Sequence, residues 1–312
     1  MRRKFRNLYI KFLLLIKKIG SKIILPGFKG LSLYYIGKFF FQGIRKSSVI
    51  MRAAAVSFNM FISLFPALIF LFTLIPFIPI DGFQLELFKI LENVLPASAY
   101  ELFYETITDT IMQQNTKLLS LSILLMIYFS SNGIMSLIEA FNKTSHNIET
   151  RKSLNLRIVA LISVIGISLL IMLAISLIVM SNTFILKFFS HHPEILSKGI
   201  LVTLTGVVKW LIVLVLYFLA ISILFYFAPS KKNKFKFISP GAIFATFLQV
   251  ITVLGFTFYV NNFAQYNKLY GSIGTVIVVM LLIYISSLSL ILGFELNASI
   301  LHGDKTMKEK KV

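Results

Sequence analysis

Cysteine is absent from all 312 residues, which excludes disulfides, thiolate catalysis and cysteine-ligated zinc. Acidic residues are scarce, 12 against 31 lysines and arginines, and the first of them is Asp81. Histidine is nearly as rare: His146, His302 and the adjacent His191 and His192, with no carboxylate at ligand spacing around them. No metal or other cofactor is therefore expected, and metal-dependent phosphodiester chemistry lacks its ligands. A Gly-x-x-x-x-Gly-Lys run is also missing, which excludes nucleotide hydrolysis by a phosphate-binding loop. Charged residues make up 14% of the chain, where a soluble domain carries about 25%. The surface of a water-soluble enzyme is not there.

What is there is apolar length. Hydrophobic residues are 57% of the sequence, and six runs are predicted to cross a membrane: 53–79, 118–141, 158–183, 201–228, 240–263 and 272–296. Each exceeds the roughly 20 residues that span a 30 Å hydrocarbon core. The loops alternate in charge. Thirteen basic residues and no acidic one lie from Arg2 to Arg52. The first loop, 80–117, sets Asp81, Glu86, Glu92, Glu101, Glu105 and Asp109 against only Lys89 and Lys117. The second is basic through Lys143, Arg151, Lys152 and Arg157, and the fourth through Lys231, Lys232, Lys234 and Lys236. Basic loops on alternate sides predict a multi-pass protein with both termini cytoplasmic. The formal net charge of +19 belongs beside these segments, against anionic lipid headgroups, so no nucleic-acid partner is expected.

The expected organisation is all-α: a basic amphipathic arm over 1–52, a six-helix transmembrane domain over 53–298 with its external loop at 80–117, and a basic tail over 299–312. In the arm, Lys4, Lys11, Lys18 and Lys22 share one side of a helix, with Leu8, Phe12, Ile16, Ile19 and Ile23 on a neighbouring arc. Pro26 and Gly27 break it before 33–41 resumes. Such a segment lies in the headgroup plane, and the arm is too long for a cleaved signal. In the external loop, Leu87, Phe88, Leu91, Leu95 and then Leu102, Phe103, Ile107, Ile111 predict two short amphipathic helices.

Several stretches carry a resemblance. They are Arg52 to Phe58 (RAAAVSF), Ser63 to Pro66, Leu95 to Ala97, Ser131 through Glu139 to Asn142, Phe225 to Pro229 (FYFAP), Pro240 to Ala245, Phe258 to Gly274 and Leu292 to Ala298 (LGFELNA). Their order is similar to that of the YihY/BrkB family of bacterial inner-membrane proteins, from about Leu33 to Ala298. Tyr128 stands where the family often has tryptophan. The resemblance implies six helices and an inner-membrane address. It implies no activity.

The candidate site is the set of polar residues inside apolar runs: Ser57 and Asn59 in the first span, Ser131, Asn132 and Glu139 in the second, Gln249 in the fifth, Glu295 and Asn297 in the sixth. Ionisable groups in membrane helices point to function, whereas interhelical hydrogen bonds of about 0.6 kcal/mol each are the structural alternative. Glu139 and Glu295 are predicted near cytoplasmic helix ends, within reach of headgroups and of Arg52, Arg157 or Lys143. If purely structural, both should tolerate Glu→Gln with folding unchanged or improved. Pro66 should kink its helix, Pro240 suits a first turn, and Gly241 with Ala245 gives a small-residue packing face, as does Gly293. Gly271 and Gly274 suit a tight turn or close packing. The expected function is transport or flipping of a lipid or small solute, with no enzymatic activity. The alternative is a scaffold that binds partner proteins through the arm and outer loop.

The topology has a direct check because there is no native cysteine. Single cysteines replacing Asn93 and Tyr266 are expected to react with an impermeant maleimide outside the cell, and those replacing Asn147 and Asn233 are not. External labelling at position 233 would overturn the six-span topology.

Overall fold

A computed structural model describes residues 14, 17–74, 104, 116–143, 151–190, 198–230, 237–263 and 272–309. Seven long helices appear among them: α1 (Leu33–Lys46), α2 (Val49–Leu74), α3 (Thr116–Asn142), α4 (Ser153–Ser190), α5 (Lys198–Phe227), α6 (Pro240–Phe263) and α7 (Ser272–Glu309). Helices α2 to α7 are each long and apolar enough to cross a membrane. The protein is an all-α membrane protein with six spans. The two helices predicted over 80–117 fall outside the described residues, as do Gly271 and the 231–236 lysine run.

The six spans form a closed ring. Each packs against its neighbour in sequence, and α7 closes on α2. Helix α7 also touches α1 and α3, so it has more partners than any other span. Burial is concentrated in the half of the bundle nearer the two termini. There Phe141 of α3 stacks on Phe294 of α7 with ring centres 4.5 Å apart, and Phe225 of α5 meets both edge-on at 5.3 and 5.5 Å. All three are buried, and they plug the ring between non-adjacent helices. Offset and edge-on contacts of this kind contribute roughly 0.5–1.5 kcal/mol each beyond area burial.

Two expectations need correction. The second half of the arm does not simply lie on the lipid surface. Ser32 caps α1 by accepting from the Tyr35 N–H, and α1 buries Ile36 and Gly43 against α7. The last helix does not stop near Leu296 either; it continues to Glu309. Ile300 is held in a small core with Phe28, Leu31 and Ile36, and Lys29 bridges Asp304 at 3.1 Å. The arm supplies the surface that keeps the extra turns helical. Gly274, expected in a tight turn or in close packing, is a buried residue within α7, and Pro66 is buried inside a continuous α2.

Helices α6 and α7 cross at glycine. A Cβ on Gly293 would sit 2.5 Å from the Ala245 Cβ and 2.6 Å from the Gly241 carbonyl oxygen, and one on Gly241 would overlap the Gly293 carbonyl. Without a hydrophobic drive between helices in lipid, this close backbone approach is a main source of packing energy. At Gly255 an added Cβ meets nothing within 4 Å. Gly293→Val is therefore expected to lower the melting temperature of the detergent-purified protein by several degrees, while Gly255→Ala leaves it unchanged or raises it. Equal melting of the two variants would count against the crossing.

Candidate functional site

The strongest electrostatic feature is a buried ion pair. Arg52 opens α2 just after the Ser47–Ser48 turn, where Ser48 holds a φ of 47°. Its Nη2 lies 3.3 Å from Glu295 Oε2, with the two side chains 7% and 0% exposed. The same Nη2 donates to Ser47 Oγ at 2.7 Å, and Nη1 donates to the Ala140 carbonyl at 2.5 Å. Glu295 Oε1 and Arg52 Nε have no hydrogen-bond partner. That carboxylate packs on α1 where a Cβ on Gly43 would overlap Oε1, so any larger residue there would displace the carboxylate. One pair thus ties together α1, α2, α3 and α7.

Of the partners expected for Glu295, headgroups or a nearby basic residue, the structure selects the basic residue Arg52. Glu295 lies 14 residues before the end of α7 and its counter-charge is Arg52. Glu139 is half-buried and forms no ion pair among the described residues. The two carboxylates do not share a site.

The other candidates are spread along the helix seams. Asn297 of α7 reaches the start of α6, accepting from the Gly241 N–H at 2.7 Å and donating to Ser239 Oγ at 2.8 Å. Ser239 in turn accepts from the Ala242 N–H, so two orphan donors of the α6 N-terminus are satisfied. Pro240, the first residue of α6, has no N–H to lose. Asn59 donates to Ser136 Oγ at 3.1 Å across α2 and α3. Asn132 accepts from Arg157 Nη2 at 3.0 Å across α3 and α4. Ser57 and Ser131 are buried and bond back to their own helices, at Ala54 and Tyr128.

Gln249 differs from these. It donates to the Ser286 carbonyl at 2.8 Å, yet its buried Oε1 has no partner among the described residues. It lines a groove of about 660 Å³ between α5 and α6, otherwise formed largely by apolar side chains including Val207, Trp210, Leu214 and Leu254, with Gly206 in its wall. An added Cβ on Gly206 meets nothing within 4 Å. The groove lies in the half away from the phenylalanine plug and opens sideways, since Trp210 and Leu254 are largely exposed.

Two junction residues escaped the candidate set. Asn142, fully buried at the end of α3, donates to the Ala228 carbonyl and accepts from the Ser230 N–H. Arg151 donates to the same carbonyl at 2.6 Å, so both close the C-terminus of α5. The available signal was an asparagine ending an apolar run and an arginine just beyond it.

The family profile described as virulence factor BrkB matches residues 40–311, which takes in α2 to α7 and the Arg52–Glu295 junction. The chain belongs to the YihY/BrkB family. Within this family, it is 30% identical over 259 residues to YfkH of Bacillus subtilis, whose name describes it as ribonuclease-like; the match covers 83% of this chain and 92% of that one. A UPF0761 membrane protein of Pseudoalteromonas translucida is 36% identical over 77 residues, 25% of this chain and 26% of its own. One of Xanthomonas campestris is 33% identical over 82 residues, 26% of this chain and 19% of its own. No solved structure gives a significant match.

The ion pair yields a prediction opposite to that for an unpaired carboxylate. Glu295→Gln leaves the buried Arg52 guanidinium charged but without its counter-charge, and removing one partner of such a pair costs about 3–5 kcal/mol. Replacing both, as Arg52→Leu with Glu295→Leu, removes the desolvation cost as well. Thermal stability measured by size-exclusion chromatography is expected to fall sharply in each single variant and recover substantially in the double. A double variant less stable than both singles would contradict the pairing.

Proposed function

We propose that this protein binds lipid and moves it between the two halves of the bacterial inner membrane, with the α5–α6 groove as the place where an acyl chain enters. The groove carries the argument. Its volume falls in the roughly 300–1,000 Å³ range of ligand sites, its walls are apolar, and it opens toward the space that lipid tails occupy. Gln249 adds a buried acceptor with no donor among the described residues, which costs about 1–3 kcal/mol unless a ligand supplies one. A lipid bearing a hydroxyl or amine matches that demand. The phenylalanine plug closes the termini-side half, so this state is open to one leaflet. The loop charges support a cytoplasmic position for both termini, where the basic arm would contact anionic headgroups.

Two other readings are weaker. The name of the Bacillus subtilis relative suggests an enzyme, but among the described residues no three His, Asp or Glu side chains come together as metal-assisted phosphodiester cleavage requires. A scaffold for partner proteins is favoured by the number of polar residues spent on interhelical bonds.

The test is movement of a fluorescent-headgroup phospholipid in liposomes containing the purified protein, read as the fraction bleached by dithionite. Wild type is expected to expose inner-leaflet lipid. Gly206→Trp, which projects an indole into the groove from a position where an added Cβ meets nothing within 4 Å, is expected to slow this by about tenfold, equivalent to about 1.4 kcal/mol in the barrier, while leaving the melting temperature unchanged. Bleaching that stops at the outer leaflet with wild-type protein would reject lipid movement and favour the scaffold.

A further inference from the structure

Arg157 is a charged side chain with no counter-charge among the described residues. It belongs to α4, which contains no Asp or Glu. The ion pairs among the described residues are Lys29–Asp304 and Arg52–Glu295. Its Nη2 donates to Asn132 and its Cζ lies 4.8 Å from the centre of the Tyr128 ring, while its other N–H groups meet no protein acceptor. Glu139 lies two turns from Asn132 on the same side of α3, about 10 Å along the axis, and is not bridged.

The direction of the side chain matters. Arg157 is in the second turn of α4, close to the termini side, and could reach the membrane edge by pointing back along its helix. There it is held by Asn132 of α3, itself half-buried in the α3–α4 seam. A guanidinium without a counter-charge in a membrane segment is costly unless an anion meets it, and headgroup phosphates lie at the end of the span where Arg157 sits. Around it the surface is apolar and outward-facing: Leu121, Leu124 and Tyr128 of α3, Leu154, Ile158 and Ile162 of α4.

We propose that Arg157, oriented by Asn132 and Tyr128, binds the phosphate of a phospholipid whose acyl chains lie along the outer face of α3 and α4. The Asn132 bond and the Tyr128 ring fix one edge and one face of the guanidinium. The remaining edge offers the paired donors that suit a phosphate. The charge is then neutralised by an anion the membrane itself contains, and the exposed leucines and isoleucines receive the tails. This face is separate from the α5–α6 groove, so the site stands or falls independently of lipid movement.

The experiment uses the full chain in nanodiscs containing either a phosphatidylglycerol or a diacylglycerol with a photoreactive acyl chain, with cross-linked peptides identified by mass spectrometry. Phosphatidylglycerol is expected to label peptides of α3 and α4, and diacylglycerol, which lacks the phosphate, to label them weakly. Arg157→Gln should reduce phosphatidylglycerol labelling about tenfold, as loss of a charged hydrogen bond predicts, and Arg157→Lys should fall between. If Arg157→Gln does not accumulate, Tyr128→Leu keeps the half-exposed position apolar and should also weaken labelling by removing the stack. Equal labelling by the two lipids, or labelling unchanged in either variant, would overturn the site. Loss of labelling on adding millimolar inorganic phosphate would overturn the lipid assignment in favour of a soluble anion.

Discussion

A charge cannot be left alone in a membrane, and the termini-side half of this bundle is organised around that constraint. Arg52 is needed at the start of the first span, where basic residues set orientation, yet it turns inward rather than toward solvent. Glu295 must then be buried beside it, Ser47 and the Ala140 carbonyl must complete the guanidinium's bonds, and α1 must offer glycine at position 43 to admit the carboxylate. Four helices are placed by one pair. The pair need not add net stability, because desolvating two ions offsets much of their attraction. It does penalise arrangements that separate them, and so specifies which helices meet.

The remaining polar residues follow the same logic at lower energy. Asn59 with Ser136, and Asn297 with Ser239 and Gly241, each join two helices across a seam. Together with the phenylalanine cluster and the glycine crossing they make a half-bundle that is closed and densely packed. The other half has fewer such ties, and there α5 and α6 separate around an apolar groove. The proposed entry of a lipid from the side rests on this contrast between a packed half and an open half in one ring.

The arm and the last helix illustrate why some boundaries were not legible. Gly27 and Gly30 take left-handed φ values of 87° and 79° with Lys29 between them at 53°, turning the chain back toward the start of α6. This turn brings Phe28 and Leu31 under Ile300, so α7 continues as a helix well past the apolar run. Hydropathy ends a span where polar residues begin; it does not register that another segment will cover them. The two readings of Gly274 were separated only by the fold, since a glycine buried within a helix and a glycine that ends a turn read alike in one dimension.

The sequence by itself determined the class and the six spans, because membrane thickness and charge asymmetry act on composition and length alone. It also supplied the polar candidates and, through the order of its short motifs, the family. Which of those polar residues would meet was decided only by tertiary structure. Arg52 was one of three basic residues within reach of two carboxylates, and only the crossing of α2 and α7 selected Glu295 and left Glu139 without an ion pair. The groove beside Gln249 and the outward-facing Arg157 were likewise absent from any pattern of spacing. Both arise from the gaps between helices, and a gap is set by the angles at which neighbours cross, which depend on side chains far apart in the chain.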